Sequence, residues 1–136
     1  MEFFYSWLDS AEKFSRDHKR PLVTLSYAQS LDGSIAVQRG SPLVISGEQS
    51  NHMTHQLRSA HDAILVGIGT VLSDNPRLSV RLVSGPSPQP VILDSSLRFP
   101  TDCRIMHENP NKPWLAAAKA APEKKIEIFT GWMLKY

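Results

Sequence analysis

The sequence predicts an α/β layered fold, and two observations carry that prediction. Short apolar segments (Leu22 to Ala28, Ala63 to Val66, Val91 to Leu93) alternate with stretches whose apolar residues recur at helical spacing. Clusters rich in Gly, Pro, Ser and Asp separate them as turns and loops. At 136 residues the chain has room for one domain built around one core. No internal repeat interrupts it.

Taken in order, residues Phe3 to His18 read as an amphipathic helix. Phe4, Trp7, Leu8, Ala11 and Phe14 fall on one stripe, and Glu12, Lys13, Arg16 and Asp17 fall elsewhere. Pro21 stops that helix, and Leu22 to Ala28 reads as a largely buried strand. Ser30-Leu31-Asp32-Gly33 is a turn in which Gly33 can take positive φ, and Ile35 to Val37 is the returning strand. Ser46 is an N-cap with capping-box spacing, opening a helix to about Ala60 that buries Met53, Leu57 and Ala60. The strand Ala63 to Val66 runs into Gly67-Ile68-Gly69-Thr70. A short turn at Asp74-Asn75-Pro76 follows, then a strand ending on Arg81. Residues Ser84 to Pro90 form a surface connection to the strand Val91 to Leu93. Trp114 to Ala118 and Ile126 to Phe129 are shorter strands, with a polar loop at Lys119 to Lys125 between them.

Composition narrows the function classes. Fifteen basic against thirteen acidic residues give a net charge of +2, too small an excess for a concentrated nucleic-acid-binding face. No apolar run reaches the length of a membrane span, and the acid at position 2 does not suit a signal peptide. Cys103 is the only cysteine, which excludes an intrachain disulfide and a multi-thiolate zinc site. The simplest expectation is a cytoplasmic protein that handles a small molecule.

In α/β sheets, ligands tend to sit beyond the carboxyl ends of the strands, where three candidate sites fall: Ser30 to Gly33, Gly67 to Thr70, and Asp94 to Ser96. Gly67-Ile68-Gly69-Thr70 either lets the backbone approach a phosphate or simply forms a tight strand-to-helix turn; with Leu72 in place of a third glycine it is not a Rossmann fingerprint. Strand alternation over 77–81 buries Leu78 and Val80 and turns Arg77, Ser79 and Arg81 to the other face. Arg58, late in the preceding helix, can converge with Arg81 to hold a phosphate, or both can be solvated surface arginines. Asp32 and Asp74 can each bond a sugar hydroxyl or fix their own turns. Asp94-Ser95-Ser96-Leu97-Arg98 suits a nucleotide 2′-phosphate or a capped turn. His52, His55, Arg58 and His61 form a polar helix face rather than a metal site, because no cysteine or well-placed carboxylate completes a ligand set. No nucleophile, acid–base pair or triad assembles, and hydride transfer is the chemistry that asks the protein mainly for positioning.

Residues Arg20 to about Pro100 resemble the reductase domain of riboflavin biosynthesis. The resemblance rests on Ser30-Leu31-Asp32-Gly33, Ile45-Ser46-Gly47-Glu48, Leu57-Arg58, Asp62 to Gly67, Gly69 to Leu72, Asp74 to Arg81 and Val91 to Ser95, in that order and spacing. It implies a dihydrofolate-reductase-like layered sheet flanked by helices, with residues 1–19 as a leading amphipathic helix and 20–136 as the reductase-like domain. It also implies NADPH-dependent reduction of the phosphorylated aminopyrimidine 5-amino-6-(5-phosphoribosylamino)uracil to its ribitylamino product. By motif position, Ala28, Thr70, Asp74 and Ser95 fall on the cofactor side, and Arg58, Leu78 and Arg81 on the substrate side. The residues and composition lead to the expectation of no metal, no nucleic acid and no membrane, and the resemblance implies a homodimer.

Three departures from the family pattern stand out. Pro42 and Val44 occupy positions where bifunctional members carry serine and tryptophan, and the deaminase Cys/His signature is absent. The family's later glycine-rich segment does not follow Ile126 to Phe129, so the chain is expected to be a C-terminally truncated reductase domain. Two other readings stay open: a phosphate-binding remnant without turnover, and a folate reductase of the same fold. The latter requires a buried helix carboxylate, for which the second helix offers only Glu48.

Overall fold

A computed structural model describes residues 10–35 and 46–132. Their elements are, in order, α1 (Ala11–His18), α2 (Glu48–Ser59), β1 (Ala63–Gly67), α3 (Ile68–Asp74), β2 (Gln89–Leu93), α4 (Arg104–Glu108), β3 (Trp114–Ala116) and α5 (Glu123–Phe129). The strands form a parallel sheet in the order β1-β2-β3. Strands alternating with helices are the predicted α/β class.

Register explains where the core sits. Val66, Ile92 and Leu115 lie side by side across the three strands, as do Leu65, Val91 and Trp114 one residue away. Side chains alternate between faces, so the first row points to one side and the second to the other. Ile92 and Leu115 are fully buried and pack with Ile68 and Val71 of α3, Ile105 of α4 and Phe129 of α5. On the opposite face Leu65, Leu93 and Trp114 are exposed. Gly67, Leu93 and Ala116 are in register at the carboxyl end, so all three strands deliver their following loops to one edge of the molecule.

The expected strand Leu22 to Ala28 is not formed. Val23 and Leu25 are about 80% exposed, and no described strand offers the hydrogen-bond ladder that this segment would need. Its anchor is Thr24, whose Oγ1 lies 2.7 Å from His61 Nε2. Ile35 is exposed and outside any strand, and the rest of the expected returning strand lies outside the described residues. So does the part of the first helix before residue 10. In α2 the N-cap is Gly47 rather than Ser46, with no side-chain cap. Met53 and Ala60 are exposed, and the buried residue is His55.

At the other end, the expected strand Ile126 to Phe129 is helical. Pro122 accepts the first-turn N–H groups of Lys125 and Ile126, and Ile126 and Phe129, three apart, face the core while Ile128 is exposed. β3 stops at Ala116, two residues short of expectation. β2 starts earlier than expected, at Gln89. Pro90 is tolerated there because Gln89 N–H bonds toward Asp62 on the β1 side, and β3 pairs only from Val91 onward.

The connection before β2 is not a free surface loop. Pro88 and Pro90 are buried, and Gly85 sits at φ 141° with a Cβ position 2.7 Å from Ser59 Cβ. Gly85→Ala should therefore lower stability by about 2 kcal/mol, through left-handed strain and the collision with α2. Urea denaturation measures this, and an unchanged midpoint would mean that the loop moves off α2 without cost.

Candidate active site

The segment leaving α3 builds the candidate site. Asn75 ends the helix in the left-handed conformation (φ 42°) with its N–H on Val71 O at 3.1 Å, and Pro76 prevents continuation. Leu78 is also left-handed, at φ 55°. Residues 77–81 therefore cannot form the expected strand, and the predicted alternation fails: Leu78 and Ser79 are both buried. Without a ladder, this segment's polar groups need other partners. Asn109 Nδ2 donates to Arg77 O at 2.9 Å, Ser87 Oγ accepts from Val80 N–H at 3.0 Å, and His55 Nδ1 accepts from Arg81 N–H at 3.0 Å. Three separate parts of the chain thus fix one irregular loop.

That loop draws the two expected arginines together. Arg58 Nη1 donates to Ser79 O at 3.2 Å, and Arg81 Nη1 donates to the same carbonyl at 3.4 Å. Neither arginine forms an ion pair among the described residues, and Arg58 Nε is buried without a hydrogen-bond partner. Burial, and then the neighbouring Arg81 charge, push the Arg58 guanidinium below its ordinary value; burial, then Arg77 and Arg104, do the same for Arg81, with Glu108 opposing in part. Two partly desolvated cations sharing one carbonyl make a place where an anion is favoured. Arg77, expected on the same face, is instead paired with Glu108, which also takes the Arg104 Nε at 2.8 Å. Leu78 has its side chain in the core, so only its main chain is available to a ligand.

On the other side, the expected turn around Asp74 is the last turn of α3. Thr70 and Asp74 are four apart on this helix and both exposed, so they share a face just beyond the β1 carboxyl end. Asp74 Oδ1 accepts from Ser73 Oγ at 2.5 Å. Ser95 is exposed two residues past β2, and its carbonyl accepts Ala118 N–H at 3.3 Å. Buried Asp94 caps that turn through Oδ2, which accepts from Phe99 N–H at 2.8 Å. Ala28 is exposed in the 21–30 segment, which forms no strand, and no described hydrogen bond ties Ala28 to either group. Asp32 fixes its own turn, accepting from Ser30 Oγ and from Ser34 N–H, and these bonds hold its carboxyl below its ordinary value.

The histidines do not form one polar helix face. His52 is exposed, His55 is 3% exposed, and His61 lies beyond the helix with Nδ1 2.6 Å from Leu57 O. Among the described residues no group of three or more His, Cys, Asp or Glu could hold a metal ion. Sequence reasoning missed His55 and Ser79 as site-building residues; the available signal was that His55 precedes Arg58 by three, which puts both on one face of α2. Burial first, then the charges of Arg58, Arg81 and His52, lower the His55 pKa from 6.5 to about 4. Between those values the unfolded chain takes a proton that the folded chain refuses, so stability contributed here is full above pH 6.5 and falls as pH drops toward 4. The decline in urea midpoint between pH 7.5 and 5 should be shallower in His55→Asn; an equal decline would exclude His55 as its source.

With this geometry in place, comparison with known proteins gives the lineage. The family model for the RibD C-terminal domain matches residues 21–135. The chain belongs to this family. It is 41% identical over 121 residues to the Candida glabrata 2,5-diamino-6-ribosylamino-4(3H)-pyrimidinone 5′-phosphate reductase, a match covering 78% of this chain and 49% of that protein. The reductase of the same name from Methanothermobacter thermautotrophicus is 41% identical over 112 residues, covering 80% and 51%. Among solved structures, Acinetobacter baumannii RibD superposes with a TM-score of 0.78 at 25% identity, over 96% of this chain and 37% of that one. The fold is thus the dihydrofolate-reductase-like fold of RibD reductase domains. The chain spans about half the length, or less, of the curated relatives it matches. No helix among the described residues is long and apolar enough to cross a membrane.

Proposed function

We propose that this chain carries substrate and cofactor contacts of a reductase that converts the ribosylamino side chain of a 5′-phosphorylated aminopyrimidine to a ribitylamino chain, with NADPH as reductant. The observation that carries this reading is the convergence of Arg58 and Arg81 on Ser79 O, with neither in an ion pair among the described residues and only the charge of Glu108, itself paired with Arg77 and Arg104, acting on Arg81. A dianionic phosphate supplies the missing charge and accepts from both guanidiniums. Leu78 contributes through its main chain. The relatives named as reductases of a ribosylaminopyrimidine 5′-phosphate support the same substrate class.

Thr70, Asp74 and Ser95 suit the cofactor because all three are exposed beyond the carboxyl ends of neighbouring strands, where hydroxyls and a carboxylate can meet ribose and phosphate groups. Ala28 belongs to this side by motif position, with its main chain as the contact. When bound, a dihydronicotinamide would supply a hydride for the ribosyl C1′, the bond from C1′ to the ring oxygen breaking and that oxygen taking a proton as the sugar opens to a ribityl chain. The chain's own part is to orient the substrate through its phosphate. A folate-type reading lacks its key group, since Glu48 in the first turn of α2 is exposed rather than buried.

The test is spectrophotometric. NADPH oxidation should require the 5′-phosphorylated ribosylaminopyrimidine, offered as the 2,5-diamino-pyrimidinone and as the uracil form. Oxidation with dihydrofolate instead, or with neither pyrimidine, would overturn the reading.

A further inference from the structure

We propose that His55 is a positioning residue that sets the phosphate-binding arginine, Arg81, by holding its main-chain N–H. The inference rests on the reading that Arg81 meets the substrate phosphate. His55 lies on α2 three residues before Arg58, so the same helix face that sends a guanidinium to Ser79 O sends an imidazole to the next turn of the loop. Its side chain is buried, and Nδ1 accepts from Arg81 N–H at 3.0 Å.

The loop has no ladder and a left-handed residue at Leu78, so nothing regular fixes the direction in which Arg81 leaves it. Ser87 holds Val80 N–H, and His55 holds the next one. Truncating His55 leaves Arg81 N–H without its acceptor and lets the root of the guanidinium drift, although Arg81 itself is untouched.

The acceptor role requires a neutral ring with its proton on Nε2. Every charged group facing that ring supports this state: His52 and Arg58 from α2, and Arg81 from the loop. Burial adds to the same effect, and the lowered pKa is consistent with it.

The side chains that separate positioning from packing are asparagine, glutamine and leucine. Asparagine places Oδ1 the same number of bonds from the backbone as the Nδ1 it replaces. Glutamine moves its acceptor one bond further, and leucine fills the volume with no acceptor. Binding of ribose 5-phosphate is measured by titration calorimetry, with NADPH affinity and the urea midpoint as parallel readouts. His55→Leu should weaken ribose 5-phosphate by about tenfold, the scale of one lost hydrogen bond at a charged site, and leave NADPH affinity unchanged. His55→Asn should stay within about twofold of the parent, and His55→Gln should fall with leucine. In an Arg81→Ala background, His55→Leu should have no further effect on the phosphate ligand.

An unchanged affinity in His55→Leu, an asparagine variant as weak as leucine, or an equal loss in the Arg81→Ala background would overturn the proposal. If His55→Leu does not fold, the asparagine and glutamine pair decides by the same criterion. Arg81→Ala alone separates the two levels. If it leaves ribose 5-phosphate binding intact, the phosphate reading fails and this inference with it. If it weakens binding while the His55 variants do not, only the inference fails.

Discussion

Arg58→Ala should weaken binding of the 5′-phosphorylated substrate by about 3 kcal/mol, a loss of more than 100-fold in affinity. Arg58 is the more buried of the two arginines and already donates to Ser79 O, so its guanidinium is held in place before a ligand arrives. Little ordering entropy is then lost on binding, and removing the group also leaves the phosphate facing a single cation. Arg81 is exposed, and its substitution by alanine should cost less, about 2 kcal/mol. Arg58→Lys should recover only part of the loss, because an ammonium cannot reach Ser79 O and the phosphate with the same planar fork. Calorimetric titration with the phosphorylated and dephosphorylated ribosylaminopyrimidine measures both effects. A loss equal for the two ligands would mean that Arg58 acts on the loop rather than on phosphate.

The largest effect on stability is expected at the centre of the sheet. Ile92 is fully buried, lies between Val66 and Leu115 in register, and belongs to the cluster that joins all three strands to α3, α4 and α5. Ile92→Ala should cost about 3 to 4 kcal/mol, the sum of lost transfer free energy and the cavity left between elements that cannot close on it. Among the described residues Leu65, Leu93 and Trp114 on the other face are exposed, so the packing that Ile92 anchors lies on one face of the sheet. The equivalent truncation at Leu65, 60% exposed on the other face, should change the urea midpoint little. Similar losses at the two sites would contradict the one-sided core.

The parts of this molecule legible in sequence are those governed by local rules. β1 and β2 announce themselves as apolar runs bounded by turn residues, and Gly33 takes the positive φ its turn requires. The convergence of Arg58 and Arg81 was visible because helix position and loop length constrain both, although its route was not a strand. Leu78 in the left-handed region is what alternation could not foresee: a non-glycine residue there breaks the period of two, and no local signal marks it. Residues 126–129 misled in the opposite direction. Ile126-Glu127-Ile128-Phe129 is too short to separate a strand from one helical turn by its apolar spacing, and Pro122 at the N-cap decides for the helix. Leu22 to Ala28 has the composition of a strand, but a strand also needs a neighbour, which composition cannot show. His55 belongs to a stripe of polar residues on α2, and its partner, the Arg81 N–H, lies 26 residues further along, where no local pattern shows it.

The measurement that bears most directly on the paired arginines is the contribution of the substrate's 5′-phosphate to affinity in the parent chain and in an Arg58→Ala/Arg81→Ala double variant. The phosphate should strengthen binding of the ribosylaminopyrimidine at least tenfold in the parent, and that advantage should vanish in the double variant while NADPH affinity is retained. If the phosphorylated and dephosphorylated ligands bind the parent chain equally, the two guanidiniums at Ser79 O are not a phosphate site.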